Sequence, residues 1–401
     1  MFGVTPTPTS VLMPTYAPPI VTFARGRGTE LWDTDGKRYL DFLCGLAVTS
    51  LGHAHPAVTE ALAAQAATLS HVSNLFGNTV GPQVAATLDR LLGGGGQVFM
   101  CNSGAEANEC AIKLARRWAG RGRHGIVSAF GSFHGRTLAA LAATGQPTKH
   151  EAFQPLLEGF RYAAWNDFDD LARQVDPTVV GAVLLEPLQG EGGVQPADPA
   201  FFRAVRQLCD DRGVLLMVDE IQTGLGRTGR WWGFEHLLDA GVRPDVVTSA
   251  KALGNGIPIG ACWARADVAA AFEPGDHGST FGGQPLASSA ALATLQVMEE
   301  LDVPALAARA GARLHAALTA TPGVTGVRGL GLLLAAELEP SALEAWGGAA
   351  KGVADELLAR GLVVNAVTPT SLRLAPPLLV SDSEIDEAVA VIAGVLSRGP
   401  R

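Results

Sequence analysis

Two residues of this chain stand where amine–carbonyl chemistry could be done. Lys251, one of five lysines, follows a short apolar run, Asp245-Val-Val-Thr-Ser-Ala250. It precedes an uncharged, glycine-rich stretch, Ala252-Leu-Gly-Asn-Gly-Ile-Pro258, and the nearest acid in sequence is Asp245. Burial disfavours the ammonium form, so a lysine in such surroundings has a lowered pKa and its neutral amine is a nucleophile. Upstream, a second apolar run, Val214-Leu-Leu-Met-Val218, ends in Asp219-Glu220. A lysine and an acid ending neighbouring buried strands are the parts of a Schiff-base site, with the acid opposite a pyridinium nitrogen. With Lys251 set aside, an ion pair between Asp219 and a nearby arginine such as Arg227 explains the acid equally well.

Other residues could complete such a centre. Ser103-Gly-Ala-Glu106 has capping-box spacing at the start of an alanine-rich helical pattern. The amides of Gly104 and Ala105 would face outward from the positive helix end, which suits a phosphate; a cap without a ligand satisfies the same spacing. Phe133-His-Gly-Arg136 offers a ring to stack on a flat cofactor and a guanidinium to grip a carboxylate. Taken singly, core packing and a surface charge are the plainer readings of that pair. Arg373, a charge among strand residues in Leu372-Arg-Leu-Ala-Pro-Pro377, requires an acidic partner or an anion. Gly224-Leu-Gly-Arg-Thr-Gly229 fits the dinucleotide-loop spacing, but Arg230-Trp-Trp-Gly-Phe-Glu235 does not open a helix, so a loop is expected. His53-Ala-His55 has no further ligand nearby, so no metal is expected, and no GxSxG elbow supports a hydrolase.

These residues need strand ends to hold them. Apolar runs at Gln97–Cys101, Gly125–Phe130, Gly181–Leu185, Val214–Val218, Asp245–Ser249 and Gly260–Ala264 alternate with helical patterns, the first from about Ser103 to Trp118. Such alternation predicts an α/β domain whose mostly parallel sheet is covered on both faces. Trp32 to Leu40 reads as a hairpin turning at Asp35-Gly36, expected to pack with the C-terminal domain. Beyond Gln284 the pattern changes to Ala/Leu helices, then strands at Gly329–Ala335 and Ser371–Leu374 and a last helix from about Ser383, as in a smaller α+β domain. The division expected is an N-terminal segment, 1–48, packing with the small domain, a large domain, 49–283, and a small domain, 284–401.

Composition narrows the class. With 401 residues, 47% hydrophobic and 17% charged, the chain is globular, and its length allows more than one core. A net charge of −9 and scattered arginines argue against nucleic acid as a partner. Five cysteines without a CxxC pair fit a reducing, cytoplasmic setting. Met1 to Ile20 is rich in Thr and Pro, with no basic residue and no apolar stretch of the signal-peptide kind. The uncharged run Phe281–Met298 is broken by Gly282, Gly283, Gln284 and Pro285, so no membrane span is expected.

Six motifs, in order, resemble the class III pyridoxal-phosphate aminotransferases over nearly the whole chain. They are Asn102-Ser-Gly-Ala-Glu-Ala-Asn108, Phe133-His-Gly-Arg-Thr137, Glu186-Pro-Leu-Gln-Gly-Glu-Gly-Gly193, Asp219-Glu-Ile-Gln-Thr-Gly224, Ala250-Lys-Ala-Leu-Gly254 and His277-Gly-Ser-Thr-Phe-Gly-Gly283. The resemblance implies a fold-type I homodimer with shared active sites, a mostly parallel seven-stranded sheet and a smaller α+β domain. It implies pyridoxal 5'-phosphate held by Lys251 as an internal aldimine, with Asp219 on the ring nitrogen. Phe133 would stack on the ring, Gln222 would meet its phenolic oxygen, and Glu220 and Ile221 would lie beside it. Gly104 and Ala105 would take the phosphate, joined by Thr280 of the partner subunit. Arg136, with Ser279 nearby, would take the substrate's α-carboxylate; Arg373 would receive glutamate, and Glu191 would pair with Arg373 in the other half-reaction. The implied reaction passes the terminal amine of N2-acetyl-L-ornithine to 2-oxoglutarate, with ornithine, succinyl-diaminopimelate, 4-aminobutyrate and carrier-bound aminoadipate semialdehyde as rival substrates. A nicotinamide-dependent oxidoreductase using Gly224–Gly229 and a non-catalytic binding protein are the readings from other classes. Two positions depart from the family pattern: Gln284 replaces an asparagine, and Ala17-Pro-Pro19 follows Tyr16 where a basic residue is common.

Overall fold

The computed structural model describes residues 11–397. The reading of the Thr/Pro-rich N-terminus therefore lies, for residues 1–10, outside the described residues. Near the start, β1 (Phe23–Arg27), β2 (Glu30–Asp33) and β3 (Arg38–Asp41) form an antiparallel meander. The expected hairpin is there: Gly36 turns it with φ 83°, and Asp33 Oδ1 accepts from the amides of Asp35 and Lys37.

The central sheet is built from β4 (Gly96–Cys101), β5 (Gly125–Ala129), β6 (Phe160–Ala163) and β7 (Val180–Leu185), and from β10 (Leu215–Asp219), β11 (Val246–Ser249) and β12 (Gly260–Arg265). A two-stranded ribbon, β8 (Leu188–Gln189) and β9 (Gln195–Pro196), follows β7. The seven strands lie in the order β4-β12-β11-β10-β7-β5-β6. Every residue of β7, β10 and β11 is buried, because helices cover both faces of the sheet. Only β12 runs antiparallel to its neighbours, β11 and β4. Its connection from β11 is the short Ala250–Ile259 segment, and a parallel crossover needs about a dozen residues or more. β6, which contains Arg161 and lies at the sheet's edge, was not among the strands expected; its four residues, Phe-Arg-Tyr-Ala, carry too little apolar pattern.

A second sheet holds β13 (Val324–Leu330), β14 (Leu333–Leu338), β16 (Asn365–Ala366) and β17 (Ser371–Leu374), in the order β13-β14-β17-β16. Here the reading of Gly329–Ala335 as one strand is corrected. The chain reverses at Gly331, whose φ of 55° is left-handed, so the leucines on either side belong to two antiparallel strands. β15 (Leu362–Val363) leaves this region and pairs in parallel with β3 of the N-terminal meander. The final helix spans Asp382–Leu396 and opens with a full capping box between Ser381 and Glu384.

Candidate active site

β7, β10 and β11 are adjacent parallel strands, and each ends in a polar residue on the same edge of the sheet. Glu186 follows the last residue of β7, Asp219 ends β10, and Lys251 lies two residues beyond β11. Carboxyl ends of parallel strands are where open α/β sheets bind ligands. A cavity of about 450 Å³ opens there, walled by these three residues together with Phe133, Arg136 and Gln222.

Lys251 faces the cavity from a left-handed backbone, φ 39°, a conformation that costs a non-glycine residue energy and clusters at functional sites. Burial of its amine, opposed by the charge of Asp219 and assisted by that of Arg373, pulls its pKa down to about 8. A useful fraction is therefore neutral amine near neutral pH.

Asp219 is 4% exposed and is not paired with Arg227. Arg227 instead donates to Leu332 O, Pro376 O and Ser50 Oγ, so the ion-pair alternative falls away. Asp219 Oδ2 lies 2.8 Å from His134 Nδ1 and accepts from Asn108 Nδ2 at 2.8 Å, while Oδ1 accepts from the Ile221 amide at 3.0 Å. Asn108 is fixed in turn by Thr248 Oγ1 and by its own bond to His134 O. Such a network locks the carboxylate's position, as the supporting shell of a functional group must. His134 and Asn108 lie within the motifs, yet the sequence assigns them no role; a polar residue on a buried helix face is the only signal for Asn108.

Glu186 is a further residue of the cleft to which the sequence assigns no role. It is a carboxyl at the end of a wholly apolar strand, the same signal that singled out Asp219. Burial, with the charge of Asp219 added, holds its pKa well above the usual carboxylate range. In its protonated form this carboxyl can donate as well as accept a hydrogen bond.

The helix Gly104–Ala119 points its N-terminus into the same space. Ser103 Oγ caps the Glu106 amide as expected, but the reciprocal bond is displaced by one residue: Glu106 Oε2 accepts from the Asn102 amide and side chain. The amides of Gly104 and Ala105 find no acceptor among the described residues, which leaves an anion site at the positive helix end. A Cβ on Gly104 would come within 2.8 Å of Ile221, so glycine lets this turn approach the Asp219 loop. Phe133 lines the cavity, and the Arg136 guanidinium lies 5.7 Å from its ring centroid.

Glu191 and Arg373 lie together: Arg373 donates to Glu191 Oε1 at 2.7 Å and, through Nε, to Asn365 Oδ1 at 3.1 Å. Arg373 is 1% exposed, whereas the Glu191 side chain is 34% exposed and ends on the turn between β8 and β9. Burial raises the Glu191 pKa and Arg373 lowers it, and the net direction is down.

Three other expected site residues lie elsewhere within this chain. Glu220 alternates away from Asp219, and its carboxylate accepts from Thr223 Oγ1 and from the Gly233 and Phe234 amides. It braces the loop behind the cleft, because neighbouring residues at a strand end point to opposite sides. Ser279 Oγ accepts from Asn102 Nδ2 and the Gly282 amide. Thr280 is exposed in a separate recess beside His71 and Asn74. Gly224–Gly229 forms a loop and no helix follows it directly, which removes the dinucleotide reading. Among the described residues, no cluster of His, Cys, Asp and Glu could hold a metal, and no helix is long and apolar enough to cross a membrane.

An amine-bearing strand end, a fixed carboxylate beside it and an anion cradle opposite define an amine-transfer site on an α/β scaffold. The chain belongs to the class-III aminotransferase family, whose profile matches residues 12–396. It is 48% identical to the acetylornithine aminotransferase of Gloeobacter violaceus, over 97% of this chain and 96% of that one. To the acetylornithine aminotransferase of Methanocaldococcus jannaschii it is 43% identical, over 94% of each. Among solved structures, an ornithine aminotransferase from Toxoplasma gondii superposes with a TM-score of 0.89 at 34% identity, covering 97% of this chain and 93% of that one. The N-acetylornithine aminotransferase of Stenotrophomonas maltophilia gives 0.81 at 35% identity, over 95% and 96%.

Proposed function

We propose that this protein transfers the terminal amine of N2-acetyl-L-ornithine to 2-oxoglutarate, with pyridoxal 5'-phosphate as cofactor. The observation that carries this reading is the placement of Lys251, Asp219 and the free amides of Gly104 and Ala105 around one cavity. The residues fit the cofactor's parts: an amine for its aldehyde, a carboxylate for its ring nitrogen, a flat side chain in Phe133 and unpaired amides for its phosphate. When bound, pyridoxal phosphate supplies an electron-withdrawing ring that acidifies the carbon bearing the substrate's amine. Asp219, held by His134 and Asn108, keeps a proton on the ring nitrogen. Lys251 Nζ, its pKa drawn down by burial, takes the proton from the substrate carbon and returns it on the other side of the transfer. Glu220 and Ile221 shape the Asp219 loop, and Gln222 faces the cavity, with its side chain donating to Leu46 O.

For substrate, Arg136 grips the α-carboxylate of the amine donor. Glu191 neutralises Arg373 in that half-reaction and releases it to bind the dicarboxylate in the other. We propose a homodimer in which Thr280 of the partner subunit, with Ser279 beside it, closes the phosphate end. The support is that Thr280 is exposed in a recess it shares with His71–Asn74, and that Leu75 and Phe76, next in the chain, and Phe281 are exposed as well, an apolar surface that a second copy would cover. The division into 1–48, 49–283 and 284–401, a cytoplasmic location and small molecules as the only other partners belong to the same proposal. The pairing of β3 with β15 supports the first, and five buried free cysteines support the second.

Ornithine is the second reading, favoured by the superposition on the ornithine aminotransferase. Turnover of both amines with 2-oxoglutarate separates the two: N2-acetyl-L-ornithine is expected to give the higher kcat/KM. A higher value with ornithine overturns the proposal.

A further inference from the structure

Arg328 is absorbed by none of the roles above, yet it is tied to both halves of the Glu191–Arg373 pair. It lies on β13, opposite Ala335 of β14, and Ala335 lies opposite Arg373 of β17. Directly opposed residues share a sheet face, so the two arginines flank the small Ala335 on one side of the sheet. Both reach the same turn between β8 and β9. Arg373 donates to Glu191 Oε1, and Arg328 Nε donates to Gly193 O at 2.7 Å. The rest of the Arg328 fork is occupied within the sheet: Nη1 donates to Glu337 Oε2 at 2.8 Å and Nη2 to Ser371 Oγ at 3.0 Å. Glu337 and Ser371 are themselves opposed across β14 and β17. One guanidinium thus clamps the chain two residues beyond Glu191 and two residues before Arg373.

The fit at Gly193 is close. Its φ is 103°, and a Cβ there would come within 2.9 Å of Thr368 and 3.4 Å of Arg328 Nη2. The turn is held by its backbone, while the Glu191 side chain remains partly exposed. A fixed backbone beneath a free carboxylate is what a reversible ion pair requires, since the carboxylate must leave Arg373 and return to the same place.

We propose that Arg328 is a positioning residue that sets the Glu191–Arg373 pair by tethering the β8–β9 turn to the small sheet, and so governs how readily a dicarboxylate gains Arg373. The proposal rests on the reading of Glu191 as the group that a dicarboxylate displaces. Loosening the tether weakens the hold of Glu191 on Arg373 without touching Arg373 itself. A dicarboxylate then binds more tightly, because it displaces a weaker competitor.

The test is calorimetric binding of glutarate, a dicarboxylate with neither an amine nor a keto group, to the holoenzyme. Arg328→Gln is expected to tighten glutarate binding by about threefold to tenfold, the effect of one charge-assisted hydrogen bond. Glu191→Gln tightens it as well, and adding Arg328→Gln to Glu191→Gln changes nothing more, since both act through one pair. Arg328→Lys, the milder change should Arg328→Gln fail to fold, shifts affinity in the same direction by about twofold or more. Unchanged or weaker glutarate binding in a folded Arg328 variant overturns the proposal, as does full additivity in the double variant. If Glu191→Gln alone leaves glutarate affinity unaltered, the exchange reading of Glu191 and Arg373 is what has failed.

Discussion

The cleft holds two cation–acid pairs built on different plans. Asp219 ends β10 and Lys251 lies two residues beyond the adjacent strand β11, the two strands being joined by a single ladder of backbone hydrogen bonds. Glu191 and Arg373 come from positions 182 residues apart, one on a two-stranded ribbon and the other in the small sheet. The first pair is held on all sides: His134, Asn108 and the Ile221 amide fix Asp219, and buried strands fix the backbone beneath both residues. The second has one fixed member, Arg373, and one partly exposed member, Glu191. A pair that takes part in chemistry twice per cycle at the same atoms gains from rigidity. A pair that must yield to one substrate and reform for the next gains from having one partner that can move.

Removing the fixed pair gives the largest effect. Lys251→Ala is expected to lower turnover at least about a thousandfold, since it removes the group that moves the substrate's proton. It also removes the visible absorbance of the lysine-bound cofactor, which a spectrum of the purified protein reads directly. Normal activity in this variant would break the comparison at its first term.

The movable pair is expected to discriminate between substrates rather than to set the overall rate. Arg373→Lys keeps the charge but loses the fork that reaches both Glu191 and Asn365. The KM for 2-oxoglutarate should rise about tenfold or more, while single-turnover reaction with the amine donor changes far less. Equal losses in both half-reactions would show that Arg373 is as rigidly catalytic as Lys251.

The smallest effect concerns Glu220, which adjoins Asp219 but faces the other way. Burial, against bonds from Thr223, Phe234 and Gly233, raises its pKa from the usual 4.5 to about 7. The folded state therefore holds a proton that the unfolded chain has lost between those two values. Its stabilising contribution is complete below pH 4.5 and fades as pH rises through 7. Glu220→Gln should flatten the dependence of the thermal midpoint on pH across that window. An unchanged slope would mean that the three donors keep Glu220 ionised throughout.

The same contrast governs what could be read along the chain. Lys251, Asp219 and the Ser103–Glu106 helix start were legible locally, because continuous apolar runs mark buried strands and a polar residue at a run's end marks the sheet's functional edge. Glu186 carries the same mark. The hairpin at Gly331 was missed because an unbroken leucine-rich run looks like one strand, and only the left-handed glycine shows the reversal. The second half of the capping box moved from Ser103 to Asn102, a difference of one residue that spacing rules do not resolve.

The sequence by itself determined six of the seven strands of the central sheet, the loop character of Gly224–Gly229 and the family, because each rests on short-range pattern or on residue identity. Tertiary structure decided which groups meet. It gave Asp219 to His134 and Asn108 rather than to Arg227, turned Glu220 away from the cleft and placed Ser279 against Asn102. It also put Arg328 and Arg373 on one face of the small sheet, both directed at a turn far away in the chain. Hydrophobic pattern specifies which face of an element is buried, but it carries no information about which distant polar group lies opposite. That pairing is fixed only when strand order and register are set, since a shift of one residue would send every side chain to the other face.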